Sequence, residues 1–162
     1  LLYASSAAYH AFPLQGAAGL RLKRLDHMSI FILIAGSYTP YCIIALKDSG
    51  TVLLAVIWSI AAAGLIFKFC WVNCPRWVSS VMYILMGWVV VFALPALMRS
   101  VPGVSFAFLL SGGIFYTIGG IIYALRLIRF RNGASAWGSH EVFHLFVMAG
   151  SLCHCISIYH LV

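Results

Sequence analysis

Six stretches of this chain, roughly 1–20, 27–46, 51–70, 78–98, 103–125 and 139–160, are each close to twenty residues long and nearly free of charge. About twenty apolar residues are what an α-helix needs to cross the hydrocarbon core of a bilayer. Lipid offers no partner to the backbone, so a segment of this kind must satisfy its own hydrogen bonds as a helix. The pattern therefore confines the chain to an all-α, polytopic membrane helix bundle. Composition agrees: 64% of the 162 residues are hydrophobic and 8% charged, against about 25% charged in a soluble domain. A transmembrane barrel would instead show alternating segments of about 10 residues. Short basic or turn-forming clusters separate the spans, among them Arg21-Leu22-Lys23-Arg24, Asn73-Cys74-Pro75-Arg76 and Arg129-Phe130-Arg131-Asn132-Gly133. The whole chain, 1–162, reads as one transmembrane domain without linker, low-complexity segment or internal repeat.

Charge sets an expected orientation. Arg21, Lys23, Arg24, Lys68, Arg76, Arg126, Arg129 and Arg131 fall at one set of span ends, and only Lys47 and Arg99 at the other. Eight cations against two place the first set in the cytoplasm. The net charge of +7 is then a topology signal, reinforced by anionic lipid, and no nucleic-acid partner is expected. On this orientation both the first residue and the C-terminus lie outside. The expectation is a seven-helix protein of which six spans are present, with an N-terminal helix missing.

Polar residues inside a membrane are costly and tend to have partners and a function. His140 and His144 open the last span and, four residues apart, share one helix face about 6 Å apart along the axis. His10 lies in the second half of the first span and Asp26 at the start of the second, so the orientation brings all four to one membrane depth. Ser6 precedes His10 by one turn on the same face, where it can act as a hydrogen-bond partner behind the site. Three neutral imidazoles plus water form an open zinc site, and a nearby carboxylate can help that water lose a proton. The candidates are thus His10, His140 and His144 as ligands of Zn2+, with Asp26 and Ser6 as catalytic groups. Two plainer readings stand beside this: each histidine satisfied by another side chain or a carbonyl, and Asp26 paired at the surface with Arg24 or Lys23. His140-Glu141-Val142-Phe143-His144 also matches the H-E-x-x-H pattern of zinc proteases, although the third histidine of the metzincin type is replaced by Gly150. His154 lies about 15 Å further along the helix, too far for the same ion, and is expected to line a cavity above it.

The chain resembles the haemolysin III family, bacterial members of the progestin and adiponectin receptor superfamily, over nearly its whole length. The segments that carry the likeness are Ser6-Ala7-Ala8-Tyr9-His10, Leu25-Asp26-His27, Leu33-Ile34-Ala35-Gly36-Ser37-Tyr38-Thr39-Pro40, Met86-Gly87-Trp88, Gly112-Gly113-Ile114-Phe115-Tyr116-Thr117-Ile118-Gly119 and Ser139-His140-Glu141-Val142-Phe143-His144. The resemblance implies a seven-helix bundle with a cytoplasmic amino end, zinc on His10, His140 and His144, a water-holding Asp26, and Ser6 in the family's S-x-x-x-H motif.

The expected function is a zinc-dependent hydrolase of a lipid amide or ester, working in a bacterial plasma membrane on its cytoplasmic side. Its partners are membrane lipid and a lipid substrate; similarity to alkaline ceramidases supports the chemistry by analogy. The alternative is a membrane sensor or homeostasis protein with a structural, closed zinc site. Cytolysis, implied by the family's label, calls for a soluble secreted stage that so apolar a chain does not offer. Elsewhere the sequence predicts a kink at Thr39-Pro40, close helix approach at Gly112, Gly113, Gly119 and Gly120, and packing or interfacial anchoring for Trp58, Trp71, Trp77, Trp88 and Trp137.

Overall fold

A computed structural model describes residues 1–12, 14–127 and 138–162. Arg129, Arg131 and the expected anchor Trp137 lie outside the described residues. The rest is helical: α1 (Leu2–Ala11), α2 (Gly16–Pro40), α3 (Gly50–Cys70), α4 (Arg76–Trp88), α5 (Leu94–Ser100), α6 (Gly103–Leu125) and α7 (Ser139–Tyr159). Five helical segments are long and apolar enough to cross a membrane: Gly16–Ala45, Lys47–Cys70, Arg76–Ser100, Gly103–Leu125 and Ser139–Tyr159. Large apolar side chains such as Phe92 (88% exposed), Val52 (72%) and Ile66 (66%) face outward, as a lipid-facing surface requires and a soluble monomer rarely tolerates. The chain is an integral membrane protein.

The expected first span, 1–20, is corrected. It is broken after α1, and α2 begins at Gly16 instead of residue 27. Phe12 is extended (φ −111°, ψ 94°), the conformation imposed on the residue before a proline. Gly16 then enters α2 at φ +67°, a left-handed value that glycine adopts freely. As a result Arg21, Lys23 and Arg24 are helical, on the first turns of α2, and not in a connecting loop.

Prolines reshape two other spans. Pro40 ends α2, and Tyr41–Ala45 continues as a π-helical turn in which Leu46 N–H reaches back to Tyr41 O at 3.0 Å. The widened turn follows directly on the proline, whose ring has no N–H and crowds the carbonyls that precede it. Ahead of Pro95, Val89–Ala93 tightens to a 3₁₀ turn between α4 and α5. Tyr38 stitches that defect: its hydroxyl accepts from Val90 N–H (2.8 Å) and donates toward Gly87 O (2.5 Å), with Met86 O at 3.1 Å. Buried backbone groups released by the change in register are thereby satisfied.

Phe31, Ala35, Tyr38, Cys42, Ile57, Ala61 and Met86 form the main apolar core between α2, α3 and α4. A smaller core of Tyr41, Leu46, Leu97, Val101 and Leu109 closes the opposite end from the basic clusters. Helices α6 and α7 pack closely because glycines leave room. A Cβ on Gly119 would stand 2.7 Å from Phe146 Cβ, one on Gly150 would stand 2.7 Å from the Tyr116 ring, and one on Gly112 would stand 2.7 Å from the His154 ring. Gly120 similarly faces Ile84 of α4 at 3.0 Å. Gly113 differs from expectation: nothing lies within 4 Å of its Cβ position, and it lines a cavity.

Candidate metal centre

Hydrogen bonds within the bundle hold α1 in place. Ser5 Oγ is 3.0 Å from Ser29 Oγ of α2, and Ser29 in turn donates to Leu25 O. Tyr3 donates to Ser151 Oγ of α7 at 2.6 Å, and that oxygen is also 2.8 Å from the Tyr116 hydroxyl of α6. These contacts seat the last turn of α1, which carries His10, against the first turns of α7, which carry His140 and His144.

The three imidazoles converge. His140 Nε2 lies 3.1 Å from both His10 Nε2 and His144 Nε2, and one ligand atom from each ring falls within 4.8 Å of the others. Hydrogen bonding alone satisfies this arrangement poorly. A ring nitrogen either carries a hydrogen or offers one lone pair, so His140 Nε2 cannot serve two nitrogen neighbours well. A shared cation uses all three lone pairs at once. Tetrahedral ligands about 2.0–2.1 Å from zinc stand about 3.3 Å apart, close to the 3.1 Å of two of the three pairs. The donor set thus fits a three-histidine metal centre.

Asp26 and Ser6 are both 8% exposed and line the same cavity as His140 and His144. The Asp26 carboxyl sits beside the Ser6 hydroxyl. Among the described residues it stays outside the three-ligand group. Glu141 is turned elsewhere, since its Oε2 accepts the Gly138 N–H at 2.7 Å. That capping contact removes it from the position a protease base would need.

Two cavities meet at the histidines. One, about 150 Å³ and mainly apolar, runs through the bundle from Asp26, His140 and His144 to Tyr41 and Leu97. The other, about 510 Å³ and polar, lies at the basic end over His10, Asp26 and His140. His154 lines the apolar cavity, stacked on Tyr116 with centroids 5.3 Å apart and, among the described residues, with no hydrogen-bond partner on Nδ1.

Other neighbours of the centre are absent from the sequence-level candidates. His27 lines both cavities; its only signal is its place next to Asp26. Tyr123 of α6 lies between the Arg76 guanidinium (5.2 Å to the ring) and His140 (5.7 Å between centroids), a contact fixed by helix rotation that no motif encodes. Lys68, counted among the cations at the span ends, is fully buried within α3. Its Nζ donates to Ser79 Oγ (2.6 Å) and Cys74 Sγ (3.0 Å).

A bundle of apolar helices with three histidines gathered at one end defines an integral membrane protein with a candidate metal centre. The chain belongs to the Haemolysin-III related family, whose model matches residues 1–155. It is 39% identical over 138 residues to Hemolysin-3 of Bacillus cereus, covering 83% of this chain and 59% of that protein. To the Hemolysin-3 homolog of Bacillus subtilis it is 35% identical over 162 residues, covering 98% of this chain and 72% of that protein. The human Monocyte to macrophage differentiation factor is 26% identical over 137 residues, covering 83% of this chain and 52% of that protein. No solved structure matches the chain.

Proposed function

We propose that this protein is a zinc-dependent hydrolase of a lipid amide or ester, with His10, His140 and His144 holding the ion at the cytoplasmic side of a bacterial plasma membrane. The observation that carries the reading is the convergence of three imidazole nitrogens, with Asp26 alongside, at the junction of an apolar and a polar cavity. Held by three histidines, zinc supplies a Lewis acid for a carbonyl oxygen and acidifies water. Asp26 accepts the proton of the attacking water and returns it to the leaving amine or alcohol as the carbonyl–heteroatom bond breaks. Ser6, beside the carboxyl, orients it. The apolar cavity takes the acyl chain.

A structural zinc stapling α1 to α7 is the second reading, since the ligands come from these two helices. A staple needs no access, whereas two cavities reach this cluster, which favours the catalytic reading. The test uses purified protein in phosphatidylcholine nanodiscs with a panel of lipid amides and esters, and detects released fatty acid by mass spectrometry. Release by the parent and none by Asp26→Ala is expected. No release from any substrate by zinc-loaded parent protein would leave the structural reading.

A further inference from the structure

We propose that the polar vestibule above the three histidines binds an anionic head group carried by the lipid substrate, with Arg76 and Arg126 as its recognition residues. The inference rests on the hydrolase reading and names the substrate class for that same centre. Among the described residues, three cations, Lys23, Arg76 and Arg126, line this space together with a single carboxylate, Asp26. Three cations against one carboxylate leave this lining with an excess of positive groups. The contacts of two of these cations are uncharged: Lys23 Nζ donates to the amide oxygen of Asn73 at 2.7 Å, and Arg76 lies over the Tyr123 ring. A guanidinium on an aromatic face keeps its edge donors free for a carboxylate or phosphate, to which they bind in a two-pronged fashion.

A closed polar cluster forms the floor of the vestibule. Cys74 and Ser79 line it, and Lys68 donates to both from behind. Ser79 Oγ and Cys74 Sγ also lie 3.2 Å apart as a hydrogen-bonded pair, so these three groups satisfy one another. Cations clustered in a cleft with low-dielectric walls raise the local concentration of anions. The two cavities share Asp26, His27, Ser79, Tyr123 and His140. A lipid whose chain fills the apolar cavity and whose carbonyl sits at the histidines therefore extends its head among Arg76, Arg126 and Lys23.

The test compares two amides with the same chain, N-palmitoylglycine with a carboxylate head and N-palmitoylethanolamide with a neutral one. Binding to the zinc-loaded protein in phosphatidylcholine nanodiscs is measured alongside palmitate release. The anionic amide should bind about tenfold more tightly, as a charge-assisted hydrogen bond provides. Arg126→Gln alone and Arg76→Gln/Arg126→Gln together should reduce the preference stepwise towards parity with zinc content unchanged. Equal affinities in the parent, or a preference that survives the double variant, would overturn the proposal. Arg126→Gln, at an exposed site, keeps the test decisive if the double variant does not fold. Adding phosphatidylglycerol to the bilayer should leave the preference intact; its loss would put bulk anionic lipid in the vestibule and also overturn the proposal. Tighter binding of the anionic amide without palmitate release would sink the hydrolase reading and leave the head-group site standing. Equal affinity with release from both amides would do the reverse.

Discussion

His140 Nε2, with nitrogen neighbours at 3.1 Å on two sides, is the atom on which the site turns. His140→Ala should abolish metal binding, checked as metal content per chain. Asp26→Ala should keep the metal and stop turnover, because the carboxylate lies outside the ligand group; loss of metal from this variant would argue against a water-holding role. Away from the site, Tyr38→Phe removes the partner of Val90 N–H and of the Gly87 carbonyl. It should cost about 1–3 kcal/mol for groups left unpaired, read as a lower thermal midpoint in detergent. The histidines were legible in the sequence because a spacing of four and the charge-derived membrane depth both follow from residue order. Tyr123 and Arg76 were not, since their contact depends on how α4 and α6 are rotated against each other.

At the scale of elements, the glycines of α6 make a sharp contrast. Gly119→Ala meets Phe146 Cβ at 2.7 Å, an atom fixed to its backbone, so α6 and α7 must separate. The expected loss is about 1–3 kcal/mol, as for other overpacked contacts. Gly113→Ala, six residues earlier on α6 and with nothing within 4 Å, should be nearly neutral; equal losses in thermal midpoint for the two would contradict the packing described. For the later part of the chain, length and apolarity single out Lys47–Cys70, Arg76–Ser100, Gly103–Leu125 and Ser139–Tyr159. Hydropathy failed between residues 1 and 27 because apolar α1 runs directly into apolar α2 and only backbone preferences mark the break, seen in extended Phe12 and left-handed Gly16. The responses of the chain at Pro40 and Pro95, one turn widened and one tightened, were likewise beyond a reading that expects only a kink.

For the molecule as a whole, the alternation of helices collects Arg21, Lys23, Arg24, Lys68, Arg76 and Arg126 at the end that carries the histidines. On the proposed orientation, which follows the positive-inside bias, that end faces the cytoplasm. A reporter fused after Val162 should accordingly be exposed outside the membrane; a cytoplasmic reporter would invert the bundle. The cluster draws its ligands from α1 and α7, near the two ends of the chain, so metal content tests fold and site together. The decisive measurement is zinc per chain by mass spectrometry for the parent, His10→Ala and His144→Ala, purified in detergent. About one zinc in the parent and little in either variant is expected. A folded parent without metal would contradict the metal centre and leave the histidines as packing or hydrogen-bonding groups.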